Sequence, residues 1–399
     1  MPTVLHGKNV VLGVTGSIAA YKAADLASRL VQAGARVNVI LTASAAKLVT
    51  PMTFAGLTHR QVVTDLFEPT SEMSMDHVAL ARRADIVIVA PCTANTVAKI
   101  AGGRADDALT ATLLATEAPV LVAPAGDANM FNNPAVQANL QTLRDRGVMV
   151  IGPATGRLAS GLVGKGRLVE PSLIVGHARQ LLGRKGDYAG RRVIVTAGGT
   201  QEVIDPVRVI TNRSSGKMGY ALAEAARDRG ADVTLVTAPT ALDDPAGIET
   251  IKVGSADEMR DAVLPLCQSA DLLVMPAAIS DFRLAHTADQ KLKKEALDGL
   301  TLELVQNEDW LPDAAGPRLV KVAFAAETEN LESNALKKLE AKGVKLIVAN
   351  DVSGGAVFGS DKNTVTIFSG ESEPERLPEM DKFDVAERIL DRTLPYLSS

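Results

Sequence analysis

The stretch Asn212-Arg213-Ser214-Ser215-Gly216-Lys217 sets an amide, two hydroxyls, a glycine and a lysine ahead of an alanine-rich helical pattern. That pattern carries Ala221, Leu222, Ala225 and Ala226 and ends at Gly230. Free N–H groups and the dipole at a helix start favour phosphate. A glycine there lets backbone approach a ligand closely. Ser214, Ser215 and Gly216 are therefore candidate phosphate contacts; the alternative is a βαβ unit that binds nothing. A similar layout lies near the N-terminus, where strand residues 10–14 run into Thr15-Gly16-Ser17 and a helix opens at Ile18. Strand residues 37–41 then lead to Thr42-Ala43-Ser44-Ala45. Hydroxyls beside a helix start suit one phosphate, as in a mononucleotide flavin. Neither unit shows a clean GxGxxG followed by an acidic residue about 20 positions on, the pattern a NAD-dependent oxidoreductase needs.

Other residue types add chemistry. His77 is the side chain most easily set as an acid or base near neutral pH, although a lone histidine is more often structural. Strand residues 85–90 run into Pro91-Cys92-Thr93-Ala94-Asn95-Thr96, where Cys92 reads as a small buried residue rather than a nucleophile. Residues 120–123 form a strand that ends in Pro124-Ala125-Gly126-Asp127. Residues 156–167 are glycine-rich, hold Ser160 and read as a flap. Asp281 ends a strand, where a carboxylate meets a nucleotide or Mg²⁺ or simply caps a turn. Lys291-Leu292-Lys293-Lys294 reads as solvated surface, or beside a nucleotide site as a lid that brings positive charge to phosphates. Lys338 and Lys342 share one face at a helix end.

These residues need strands and helices to hold them. The chain has 399 residues, 46% apolar and 22% charged, with 3% aromatic. Length suggests two or three domains, and the composition is that of a globular protein. Glycine turns recurring after buried strands predict two Rossmann-like three-layer α/β domains with mainly parallel sheets. We place the first at 1–183, a charged linker with two glycines at 184–190 and the second at 191–399. Within the second, the helix after Ser215 is expected from about Tyr220 to Arg229, and an edge strand at residues 364–368. A net charge of −5 gives no sign of nucleic-acid binding. Two cysteines, no signal peptide and no long apolar run fit a cytoplasmic chain with no membrane partner.

Taken in order, these motifs resemble the bifunctional phosphopantothenoylcysteine decarboxylase / phosphopantothenate–cysteine ligase family of coenzyme A biosynthesis. The marks are residues 13–19, His77, residues 91–96, 210–219, 277–281, 291–294 and 324–328. The resemblance implies a flavodoxin-like FMN decarboxylase domain followed by a nucleotide-binding ligase domain. In the first, His77 matches the active-site base. Gly16, Ser17, Ile18, Thr42 and Ser44 match phosphate and ribityl contacts, and Pro91, Thr93, Ala94 and Asn95 match contacts near the flavin ring and substrate. In the second, Asn212 and Lys291 match residues around an acyl-cytidylate. Ser214, Ser215, Gly216, Lys217, Asp281, Asn307, Asp309, Phe324, Lys338 and Lys342 match the CTP and phosphopantothenate site, with Mg²⁺ expected at Asp281. The implied substrates are 4′-phosphopantothenate, cysteine and CTP, and the implied assembly is a homo-oligomer of decarboxylase trimers linked by ligase dimers.

Three places depart from the family pattern. Pro-x-Met-Asn, whose Asn holds the substrate carboxylate, is here Pro124-Ala125-Gly126-Asp127. Ala-Cys-Gly in the flap, whose Cys donates a proton, is here Ala159-Ser160-Gly161. Asn-Pro-Asp-Ile is here Asn307-Glu308-Asp309-Trp310. The first two motivate the alternative of an active ligase fused to a non-catalytic or incompletely reducing flavin domain.

Overall fold

The computed structural model describes residues 4–66, 76–293, 299–327, 331–351, 359–370 and 372–397. Lys294 and residue 328, the end of the 324–328 run above, lie outside the described residues. Contacts divide the chain into two units, residues 2–183 and 184–399.

The first unit is built on β1 (Asn9–Val14), β2 (Arg36–Leu41), β3 (Ile86–Cys92), β4 (Val120–Pro124) and β5 (Met149–Val150). All pair in parallel, in the order β2-β1-β3-β4-β5. Successive side chains of a strand point to opposite faces, so an unbroken apolar run fills two cores. Val10, Leu12, Ile86 and Ile88 pack on one face; Val11, Val87 and Val89 pack on the other. The helices are α1 (Lys22–Gln32), α2 (Pro51–Thr58), α3 (Asp76–Arg83), α4 (Ala94–Ala101), α5 (Ala108–Ala115), α6 (Ala128–Asn132), α7 (Pro134–Asp145) and α8 (Pro171–Gly183). Leu26 of α1, Phe54 of α2 and Ile174 of α8 cover the first face. Val97 of α4, Leu109 of α5 and Leu140 of α7 cover the second. The strand order reverses between β1 and β3, and ligands of open parallel sheets collect at that switch point. The expected flap is an antiparallel hairpin, β6 (Ala154–Arg157) with β7 (Val163–Arg167).

The second unit has β8 (Arg192–Ala197), β9 (Gln201–Asp205), β10 (Arg208–Thr211), β11 (Asp232–Thr237), β12 (Glu249–Lys252), β13 (Leu272–Met275), β14 (Phe282–Leu284) and β15 (Leu304–Gln306). It continues with β16 (Val320–Glu327), β17 (Leu346–Asp351), β18 (Lys362–Asn363), β19 (Val365–Ser369), β20 (Glu375–Arg376) and β21 (Met380–Asp381). Eight of these form one sheet in the order β12-β11-β8-β13-β16-β17-β19-β20. It is parallel as far as β17, then antiparallel, so the expected edge strand has one further short strand beyond it. Its helices are α9 (Lys217–Asp228), α10 (Ala256–Cys267), α11 (Leu331–Lys342) and α12 (Lys382–Leu397). Val193, Val195, Leu272 and Val274 face one core with α9 and α12. Ile194, Leu273 and Met275 face the other with α10.

Three local features differ from the sequence expectations. Helix α9 starts at Lys217, not near Tyr220, because Gly216 takes a left-handed φ of 74° and turns the chain into the helix. The stretch between Thr200 and Asn212, assigned no element above, is an antiparallel hairpin, β9 with β10. Residues 184–190 pack into the second unit: Tyr188 is fully buried and its hydroxyl donates to Leu390 O at 2.7 Å. The Arg229 guanidinium lies 4.9 Å from the Tyr188 ring centroid and 2.8 Å from the Asp391 carboxylate, which ties the same stretch to α12. Trp310, at a departure from the family pattern, is buried in the core against α10. Among the described residues no helix is long and apolar enough to cross a membrane.

Candidate active sites

In the first unit, Thr15 joins the ends of β1 and β3. Its Oγ1 donates to Pro91 O at 2.7 Å and accepts from Thr93 N at 3.0 Å. Ser17 caps the short turn that follows, accepting from Ala19 N at 3.3 Å. Thr93 caps α4, accepting from Thr96 N at 3.3 Å. Two helical starts are thereby held side by side at the switch point, and a cavity of about 570 Å³ opens there. That volume suits a small-molecule ligand.

Gly16, Ser17, Ile18, Thr93 and Ala94 line the cavity, as do Asp127 and Ser160. Thr42, Ser44, Pro91 and Asn95 do not. Thr42 Oγ1 accepts from Ala45 N at 3.3 Å. Ser44 backs Gly16 so closely that a Cβ on Gly16 would lie 2.3 Å from the Ser44 Cβ. Pro91 O is taken by Thr15. Asn95 is exposed on the first turn of α4. These four support or flank the pocket. His77 is half-buried on α3 and is not among the lining residues. Cys92 is buried in the wall and burial pushes its thiol well up, so it stays protonated.

The two departures in this unit touch each other. Ser160 Oγ donates to Asp127 Oδ2 at 2.7 Å, and Asp127 Oδ1 caps α6 by accepting from Asn129 N at 3.0 Å. The Ser160 hydrogen bond first, and the Asn129 N–H second, hold the Asp127 carboxyl below its usual range. Three cations not singled out in the sequence, Lys22, Arg157 and Arg167, also line the cavity. Lys22 and Arg167 both meet Glu170, at 3.0 and 2.8 Å. They come from opposite ends of the unit, so no local pattern announces them.

In the second unit a cavity of about 450 Å³ lies beside β13, β16 and β17. Asn212, Ser214, Ser215, Gly216, Lys217, Asp281, Asn307, Asp309, Phe324, Lys338 and Lys342 all line it. A Cβ on Gly199 would lie 2.8 Å from Asn212 O, so only glycine lets the loop carrying Asn212 pack against this turn. Asn212 Nδ2 donates to Ile279 O at 3.1 Å, and Asn307 Nδ2 donates to Ser280 O at 2.8 Å. Both amides are thus anchored to the loop after β13. Lys342 pairs with Asp309 at 3.1 Å. Asp281 is exposed at the wall. Lys291 is exposed and is not a lining residue; its neighbour Leu292 donates its backbone N–H to Asp205 Oδ2 at 3.2 Å.

Lining residues not foreseen include Lys382, Asn363 and Asn350. The Oδ1 atom of Asn350 is buried and accepts no hydrogen bond, which leaves an acceptor for a ligand. Among the described residues no group of three or more His, Cys, Asp or Glu could hold a metal ion.

The family described as Flavoprotein matches residues 2–183. The family described as DNA/pantothenate metabolism flavoprotein C-terminal domain matches residues 188–396. The coenzyme A biosynthesis bifunctional protein CoaBC of Bacillus subtilis is 47% identical over 393 residues, covering 97% of each chain. Among solved structures, the C-terminal domain of a CoaBC protein aligns with 52% of this chain and 96% of its own, at 38% identity and a TM-score of 0.45. The FMN binding protein AtHal3 aligns with 44% of this chain and 96% of its own, at 32% identity and a TM-score of 0.39.

Proposed function

The chain belongs to the bifunctional CoaBC family of coenzyme A biosynthesis, a flavoprotein decarboxylase joined to a ligase, and we infer that it ligates cysteine to 4′-phosphopantothenate with CTP and then decarboxylates the product with FMN. One observation carries the ligase reading: residues scattered from Asn212 to Lys342 line a single cavity beside β13, β16 and β17.

In the ligase step the phosphopantothenate carboxylate attacks the α-phosphate of CTP, pyrophosphate leaves and an acyl-cytidylate forms. Cysteine's amine then attacks the acyl carbon and CMP leaves. Asn212 commits one of its two N–H donors to Ile279 O, which leaves the other for the acyl oxygen. Lys338 and Lys342 place positive charge on the same wall for the polyphosphate. Mg²⁺ fits as a passenger on the nucleotide, since it keeps waters and substrate phosphates as ligands and needs only one or two carboxylates. Asp281, exposed at the cavity wall, is the carboxylate we assign to it.

The flavin cavity fits FMN in volume and in its hydroxyl-capped helix starts. FMN, when bound, supplies the oxidation that makes loss of CO₂ feasible and the reduction that follows it. Ser17 and Thr93 hold the turns against it, and Asp127 with Ser160 holds the hairpin at its mouth. His77 lines no part of this cavity, which supports a site completed by a second copy of the chain. The second unit supports dimerisation: Val203, Val209, Phe282 and Leu304 are exposed on the hairpins β9–β10 and β14–β15, which pack together. Two free, buried cysteines suit the cytoplasm as its compartment.

A second reading, a flavin half that stops before full reduction, is favoured by Asp127 and Ser160. Supplying phosphopantothenate, cysteine, CTP and Mg²⁺ to the purified protein and weighing the products decides. Saturated 4′-phosphopantetheine with CO₂ and pyrophosphate supports both halves. An unreduced enethiol product supports the second reading, and absence of pyrophosphate sinks the ligase reading.

A further inference from the structure

Lys382 is the first residue of α12 and is only 8% exposed. Lysine is seldom buried without a partner, and a helix N-terminus disfavours a cation. Its Nζ donates to Ser360 O, and its backbone N–H donates to Asp361 O at 2.9 Å. Lys217 opens the neighbouring helix α9. Its Nζ donates to Gly359 O at 2.8 Å and to Asp361 Oδ1 at 2.7 Å. Two ammonium groups from the starts of two packed helices therefore meet residues 359–361 at one end of the ligase cavity.

Among the described residues the charges there do not balance well. The Asp361 side chain is 86% exposed, so its attraction is screened by water. Burial first, and then repulsion from Lys217, lower the Lys382 pKa, against the pull of Asp361. The adjoining start of α9 adds positive character: its cap residue Gly216 has no side chain to satisfy the free N–H groups. A buried ammonium beside a part-exposed one of like charge, with a solvated counter-ion, is costly to keep unless a ligand completes it.

We propose that Lys382, acting with Lys217, is a phosphate-binding point of the ligase cavity, separate from Lys338 and Lys342 on α11. The proposal rests on the ligase reading for the identity of the ligand. Two groups carry the right chemistry, the polyphosphate of the nucleotide and the 4′-phosphate of the acid substrate.

The full-length protein and its Lys382→Gln and Lys382→Arg variants are titrated by calorimetry with CTP and, separately, with 4′-phosphopantothenate. Lys382→Gln is expected to weaken one of the two by about tenfold, which corresponds to about 1.4 kcal/mol, and to leave the other within about twofold. Lys382→Arg keeps the charge and is expected to recover most of the loss, which a merely structural role would not give. Weakened CTP assigns the point to the nucleotide; weakened phosphopantothenate assigns it to the 4′-phosphate. Wild-type affinity for both ligands in folded Lys382→Gln overturns the proposal. Should that variant fail to fold, Asp361→Asn serves: removing the competing carboxylate is expected to tighten the same ligand, and no change overturns the proposal. Intact, Lys382-dependent binding by a protein that releases no pyrophosphate would sink the ligase reading and leave phosphate recognition standing.

Discussion

Ser160 Oγ donates a 2.7 Å hydrogen bond to Asp127 Oδ2, fastening the hairpin β6–β7 to the cap of α6 at the mouth of the flavin cavity. Two positions that look like separate departures in the sequence are one unit in the structure. A carboxylate at 127 repels an anionic substrate, and a serine hydroxyl already donating to it is a poor acid. Asp127→Asn keeps the cap, since asparagine caps as well as aspartate, and removes the charge. We expect it to raise CO₂ release from supplied phosphopantothenoylcysteine by about tenfold, the rate equivalent of 1.4 kcal/mol. Ser160→Cys supplies a thiol with a pKa of about 8.5 and is expected to raise the fraction of saturated product. Unchanged CO₂ release in the first variant and an unchanged product mixture in the second would show that the pair does not govern this half.

The same bond sets a pH dependence. Ser160 first and the Asn129 N–H second depress the Asp127 pKa in the folded chain, whereas the unfolded value is about 3.9. For a depressed carboxyl, the contribution is fully present above the unfolded value and is lost as pH falls through the folded one. The hairpin should therefore stay fastened from about pH 5 to 8 and loosen only below about pH 4. Protection of the Leu158 amide, which donates to Leu162 O at 2.8 Å, reports it by hydrogen exchange. A protection midpoint near neutrality would contradict this assignment.

What the sequence discloses depends on how local the cause is. The parallel strands are legible because apolar runs such as residues 86–90 fill cores on both faces. The candidate residues of the second unit are legible through their motifs, and Asn212 and Asn307 come together because both amides bind the loop after β13. Lys382 is not legible: a lysine opening an amphipathic helix looks like solvent-facing charge until Ser360 and Lys217 are placed beside it. Tyr188 hides in the same way, a single aromatic among charged neighbours whose partner Leu390 is supplied by the last helix. The β9–β10 hairpin reads only as an extended segment because it stands outside the main sheet and lacks a continuous apolar run.

Asp205 anchors the segment that carries Lys291. Its carboxylate is buried and accepts from Val207 N at 2.8 Å, Arg208 N at 2.9 Å and Leu292 N at 3.2 Å. Burial raises its pKa, but the backbone hydrogen bonds of Val207, Leu292 and Arg208 outweigh that and bring it below the usual range. Lys291 adjoins Leu292, so loosening the anchor should loosen the ammonium. Asp205→Ala is expected to raise the KM for CTP or to lower kcat of pyrophosphate release by about tenfold, while leaving FMN binding intact. Ligase kinetics indistinguishable from wild type would show that Lys291 is held by other means.

Gly216 tests the turn that opens α9. Its φ of 74° is left-handed, where an L-residue costs about 1–2 kcal/mol. A Cβ there would also lie 2.6 Å from the Thr240 Cγ2 methyl. Gly216→Ala is expected to destabilise the second unit by at least the backbone term and to weaken CTP binding, because Ser214 and Ser215 would shift with the turn. Thr240→Ser removes the methyl and keeps the hydroxyl that donates to Tyr220 Oη at 3.2 Å and accepts from Leu242 N at 3.3 Å. Combining the two substitutions should relieve the clash and leave the φ penalty, so stability and CTP affinity recover in part. Because the chain has two units, the change must be read on the second unit's own unfolding transition. Full recovery in the double variant would mean the methyl contact alone demands glycine; no recovery would mean the left-handed backbone does.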